Sequence, residues 1–86
     1  MEPEQFSRIV WACRRGMLEL DVLLGNFLKE VFVSLPINEK NIFIQILNEN
    51  DQDLFNWLMK KEEPTNPHFL LIIKKIRHHA DYRHSA

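Results

Sequence analysis

The apolar residues between Leu20 and Phe32 constrain this chain more than any other feature. Leu20, Leu23, Leu24, Phe27, Leu28, Val31 and Phe32 recur at intervals of three and four, the period of a helix that lays one face on a core. The stripe is too broad for a surface helix, so this segment must be the central element. Its neighbours must be helical too. Only two glycines occur, Gly16 and Gly25, and no Asn-Gly or Asp-Gly pair is present to close a hairpin. A chain of 86 residues has room for one core and buries roughly 60% of its unfolded surface.

The same spacing predicts four further helices. The first covers about Glu4 to Arg14 or Arg15, with Phe6, Ile9, Val10 and Cys13 inward, and Gly16 ends it as a left-handed residue. The central helix follows from about Met17 to Phe32 or Val33. Gly25 within it costs ~1 kcal/mol relative to alanine and suits a close neighbour. Ser34-Leu35-Pro36 stops it, because proline pushes the preceding residue out of helical geometry. The third helix runs from about Ile37 to Asn48 and turns Ile42, Phe43, Ile46 and Leu47 inward. Asn50 or Asp51 caps the fourth, about Asp51 to Lys60, which buries Leu54, Phe55 and Leu58. After a linker at Glu62 to Asn66, Asn66-Pro67 starts the fifth, about Pro67 to Asp81, with Phe69, Ile72, Ile73 and Ile76 on its apolar face. The expected fold is all-α, a compact five-helix bundle forming one domain over residues 1–86, with frayed ends at 1–5 and 80–86.

Composition removes several function classes. A formal charge of −1 and a pI near 6.4 do not supply the basic field of a general nucleic-acid binder. Cys13 is the only cysteine, so no internal disulfide forms and a reducing compartment fits. No apolar run reaches the ~20 residues of a membrane span, and residues 1–15 hold no signal-peptide core. A monomeric bacterial cytoplasmic protein is the simplest expectation. His68, His78, His79 and His84 lack the spacing of metal ligands, and no glycine-rich phosphate loop is present. Neither catalysis nor a metal site is expected.

Two blocks remain that folding does not demand. Trp11-Ala12-Cys13-Arg14-Arg15-Gly16-Met17-Leu18-Glu19-Leu20-Asp21 places an Arg-Gly-x-x-Glu element at a helix break, where a turn presents side chains that a helix flank would splay apart. The second is Asp51-Gln52-Asp53-Leu54-Phe55-Asn56-Trp57-Leu58. Each residue has a structural reading too. Gly16 serves as a helix stop and Glu19 as an acid in a first turn. Trp11 and Trp57 read as core or core-edge, and Asp51 and Asp53 as a capping pair. Arg15 and Glu19, if exposed, cost at most ~1 kcal/mol each when truncated.

Arg8, Trp11, Arg14-Arg15-Gly16-Met17, Glu19-Leu20-Asp21, Asp51 and Asp53 to Leu58 together resemble the succinate dehydrogenase flavinylation factor family, over about Arg8 to Ile76. Pro36-Ile37 and Gln52 depart from the family pattern, both at helix starts. The resemblance implies a small cytoplasmic five-helix protein. Such a protein binds the flavoprotein subunit of succinate dehydrogenase, and often that of fumarate reductase. It promotes covalent attachment of FAD to a histidine of that partner, while holding no cofactor stably itself. The implied contact centre is Arg15, Gly16 and Glu19, with Arg8, Trp11, Met17, Asp51 and Asp53 around it. A different interaction module, such as an antitoxin-like regulator, is the competing class.

Overall fold

The computed structural model describes residues 2–85, with side chains through Arg83. Its helices are α1 (Pro3–Ala12), α2 (Leu18–Glu30), α3 (Ile37–Ile46), α4 (Asp51–Leu58) and α5 (Pro67–Ser85), with a 3-10 turn at Phe32–Ser34. The described residues contain no strand. The all-α five-helix architecture is therefore as the periodicity predicts. α2 is the central element. Leu20, Leu24 and Phe27 are wholly buried, against Phe43 and Ile46 of α3, Leu54 of α4, and Ile72, Ile73 and Ile76 of α5. The Phe43 ring bridges two partners, stacking on Phe27 at 5.5 Å between centroids and tilting against Phe32 at 5.3 Å. No polar residue is buried among those described, and no buried side-chain nitrogen or oxygen lacks a partner.

Helix starts follow their sequence signals. Asn50 accepts the main-chain N–H of Asp53 at 2.8 Å, and its amide nitrogen donates back to the Asp53 carboxylate at 3.0 Å. Asn50, not Asp51, is thus the cap, and the exchange satisfies one of the orphan donors at the head of α4. Asn66 does the same for α5, accepting from His68 N–H at 2.8 Å and Phe69 N–H at 3.3 Å.

Helix ends differ from expectation. α1 stops at Ala12, short of Arg14, and Gly16 does not end it. Gly16 does adopt a left-handed conformation, φ +84, but inside the connection to α2. α2 closes at Glu30, and the 3-10 turn that follows buries Phe32. Ser34 N–H bonds Val31 O at 3.0 Å, and Leu35 N–H bonds Phe32 O at 3.1 Å. α3 ends at Ile46 instead of Asn48. α4 ends at Leu58 through Lys60 at φ 64. There Lys61 N–H reaches back to Asn56 O at 2.8 Å and Lys60 N–H to Trp57 O at 3.3 Å, a closure usually built on glycine. α5 continues to Ser85, beyond the expected Asp81. The expected loose ends include Met1 and Ala86, which lie outside the described residues.

Gly25 is also different in kind from the expectation. A Cβ built on it meets nothing within 4 Å, so no neighbour approaches closely. α5 is fastened by charge along its length. Lys75 pairs with Glu39 of α3, and Arg77 donates to Trp57 O at 2.7 Å. Glu30 receives both Arg83 and His79. Those two hydrogen bonds, Arg83 first, hold the Glu30 carboxyl below its ordinary range.

Candidate functional site

The connection between α1 and α2 is built around Arg15, and the cause is local. Arg15 N–H donates to the Asp21 carboxylate at 2.5 Å, tying the loop to the first turn of α2. Its guanidinium then turns inward. Nη1 donates to Ala12 O and Leu47 O, both at 2.8 Å, and Nη2 to Glu49 O at 2.7 Å. Nε donates to Asp51 Oδ1 at 2.8 Å. Three carbonyls, at the ends of α1 and α3 and in the connection before α4, thereby gain a donor, and the carboxylate at the head of α4 gains a charge-assisted bond. The Arg15 side chain is only 15% exposed. The condition attached to a small truncation cost, an exposed Arg15, is not met: its fork fits these acceptors and faces them.

What Arg15 fixes is a turn that leaves Gly16 and Glu19 facing outward. Gly16 is exposed at the apex. Glu19, on the outer face of the first turn of α2, is exposed and makes no hydrogen bond or ion pair with any described residue. Arg8 is exposed on α1 and equally unengaged. Met17 precedes α2 in extended geometry without a capping side chain, and packs half-buried against the core. Asp51 is taken up by Arg15, and Asp53 by Asn50.

Trp11 contradicts the core reading. It is 68% exposed, with the Arg14 guanidinium 5.4 Å from its ring centroid, within cation–π range. Trp57 conforms, at 8% exposed. Two contributors were absent from the sequence-based set, Leu18 and Val22, which are 74% and 48% exposed. With Glu19, Leu23 and Met59 they line a shallow apolar groove of about 370 Å³. Their signal was present in the sequence: both are apolar, four apart, and off the inward stripe of Leu20, Leu24 and Phe27. Asp21 was also passed over as the acceptor that anchors the turn.

Cys13 lies beneath this surface, 2% exposed. Burial pushes its thiol up to about 12, outweighing the opposite pull of the Arg15 charge. A thiol so protonated is neither a nucleophile nor a metal ligand near neutrality. No group of His, Cys, Asp and Glu among the described residues is arranged to hold a metal; the His84 side chain lies outside them. No helix is long and apolar enough to cross a membrane, again among the described residues.

The family model described as "Flavinator of succinate dehydrogenase" matches residues 7–80, a span holding the turn, the Arg15 acceptors and all of α4. The chain belongs to this family. Among curated members, the FAD assembly factor SdhE of Coxiella burnetii is 49% identical over 76 residues, covering 88% of this chain and 93% of that protein. The protein of the same name from Yersinia pseudotuberculosis is 46% identical over 77 residues, 90% and 88% of the two chains. That from Photobacterium profundum is 39% identical over 79 residues, 92% and 90%. Family membership and the five-helix fold thus agree with the resemblance carried by the two sequence blocks.

Proposed function

We propose that this chain is a non-enzymatic assembly factor. It binds the flavoprotein subunit of succinate dehydrogenase and promotes covalent attachment of FAD to that partner, with the fumarate reductase flavoprotein as a second client. The observation that carries the reading is the rigid turn. An unpaired Glu19 and a side-chain-free Gly16 are presented on a scaffold that Arg15 locks from beneath. Trp11, Leu18 and Val22 surround them with exposed apolar area. Aromatic and aliphatic anchors around a few polar groups are the usual make-up of an interface centre. Membership of a family described by flavinylation, and relatives named FAD assembly factor, support the same conclusion.

The histidine that receives the flavin, and the FAD itself, belong to the partner in this reading. This chain contributes orientation. Stabilising the conformer in which the reacting groups are aligned is sufficient, since a misplacement of ~1 Å can cost ~100-fold in rate. Glu19 and Gly16 make the contact, Arg8, Trp11, Leu18 and Val22 extend it, and Arg15, Asp21 and Asp51 position it from behind. The chain acts as a monomer in the bacterial cytoplasm.

The test uses purified apo-flavoprotein, FAD and this chain. Covalent flavin survives denaturation and fluoresces in the gel band of the partner. Adding the chain should raise that band, and Glu19→Ala should raise it far less. A strain lacking the chain should still make the flavoprotein but with less covalent flavin. An unchanged band in that strain would overturn the proposal.

A further inference from the structure

A second groove lies at the other end of α2. It opens between Val31 and Leu35 on one side and Leu71 and Tyr82 of α5 on the other, with a volume of about 430 Å³. That falls in the range of ligand sites. α2 rises ~1.5 Å per residue, so its 13 residues separate this groove from the Glu19 turn by roughly 20 Å. The walls are apolar, and Leu71 and Tyr82 stay 47% and 68% exposed.

The rim carries one unpaired cation, Lys74, beside the exposed imidazole of His78. Lys74 and His78, four apart on the outer face of α5, line the groove and engage no described residue. Lys75 and His79 also reach it, but Glu39 and Glu30 already balance them. The unbalanced charge at the mouth is therefore positive. We infer that this groove docks an acidic amphipathic helix of a partner protein, whose apolar stripe fills the trough while its carboxylates meet Lys74 and His78. Helix-in-groove recognition works in this way, with anchors at helical spacing and flanking charges setting the choice of partner. With Lys74 as its unpaired cation, the rim falls short of the cluster of basic residues by which an anionic membrane surface is bound, which favours a protein helix. The site shares no residue with the turn around Glu19, and it stands or falls separately from the flavinylation reading.

Two stapled helical peptides test it, both with leucines at i, i+3, i+4 and i+7. One carries glutamates between them and the other lysines. Titrated into the isotope-labelled chain of 86 residues, the glutamate peptide should bind saturably and shift the amides of Val31, Leu35, Leu71 and Tyr82. The double variant K74E/H78E should weaken that binding by ~10-fold or more, the scale of 1.4 kcal/mol, and leave the thermal melt unchanged. The same variant should gain affinity for the lysine peptide. No saturable binding, or equal affinity for both peptides, overturns the inference. So do shifts centred on Trp11 to Glu19, self-association of the chain through these residues, or K74-dependent binding to phosphatidylglycerol vesicles in place of the peptide.

Discussion

Arg15 and Glu19 are four residues apart in one motif, yet the chain uses them in opposite ways. Arg15 faces inward on three carbonyls and a carboxylate, whereas Glu19 faces outward on nothing. Arg15→Ala strands those acceptors and should cost about 2–4 kcal/mol. Glu19→Ala should change stability by no more than ~0.5 kcal/mol while impairing partner binding. Urea melts run beside a pull-down of the flavoprotein separate the two; equal stability of the variants would show the Arg15 network to be idle. Sequence could not rank them, because the acceptors of Arg15 are mostly main-chain oxygens, which every residue carries. Glu19 stands out in the sequence because no fold needs an acid there, and the structure leaves it exposed and unpaired. Cys13 makes a second prediction. Its folded thiol titrates at about 12 against 9.0 in the ordinary case, so the unfolded chain loses its proton first as pH rises. The stability this group contributes is fully present below pH 9.0 and is lost progressively up to about pH 12. Comparing alkaline melts of the parent and Cys13→Ser should show a shallower decline in the variant, and alkylation of Cys13 should require unfolding.

The starts of α4 and α5 were readable from their capping residues and the helix ends were not, for a physical reason. Asn50 and Asn66 cap α4 and α5, whereas α1, α2 and α3 begin without a capping side chain, at Pro3, after the turn at Gly16 and after Pro36. The end of α1 is set by a tertiary partner and that of α4 by a local backbone turn. α1 stops where Arg15 is drawn across to α3 and α4, and α4 stops on Lys60, a residue that carries no sequence signal for a left-handed turn. The glycine that should have marked an end, Gly16, sits instead at the apex of the connection. Gly25 gives the prediction proper to this scale. It lies within α2 with open space where a Cβ would go, so Gly25→Ala should stabilise the chain by about 0.5–1 kcal/mol through helix propensity alone. A rise in the thermal midpoint of a few degrees is expected. A fall would mean that the groove against α1, lined by Phe6, Val10 and Leu28, closes over this position in solution.

At the scale of the whole molecule, the central helix and its partners were set by one stripe of apolar residues, and the bundle follows from it. The long-range ties were invisible, because they join segments far apart in the chain. Arg15 reaches acceptors 32, 34 and 36 positions further along, at Leu47, Glu49 and Asp51. Asp51→Ala, which cuts one of those ties, should let the Arg15 amide exchange with solvent roughly tenfold faster, corresponding to ~1.4 kcal/mol of local opening. Core amides such as Leu24 should keep their protection, and hydrogen-exchange measurements at single-residue resolution would show whether the turn opens apart from the core. The timing of synthesis gives that arrangement a further meaning. A ribosome that has released only the first two helices has released Gly16 and Glu19 with Ala12 and Asp21 to hold Arg15, but without its acceptors at Leu47, Glu49 and Asp51. The turn proposed to meet the flavoprotein is therefore a certificate of completed folding: half-made chains display its letters but not its shape.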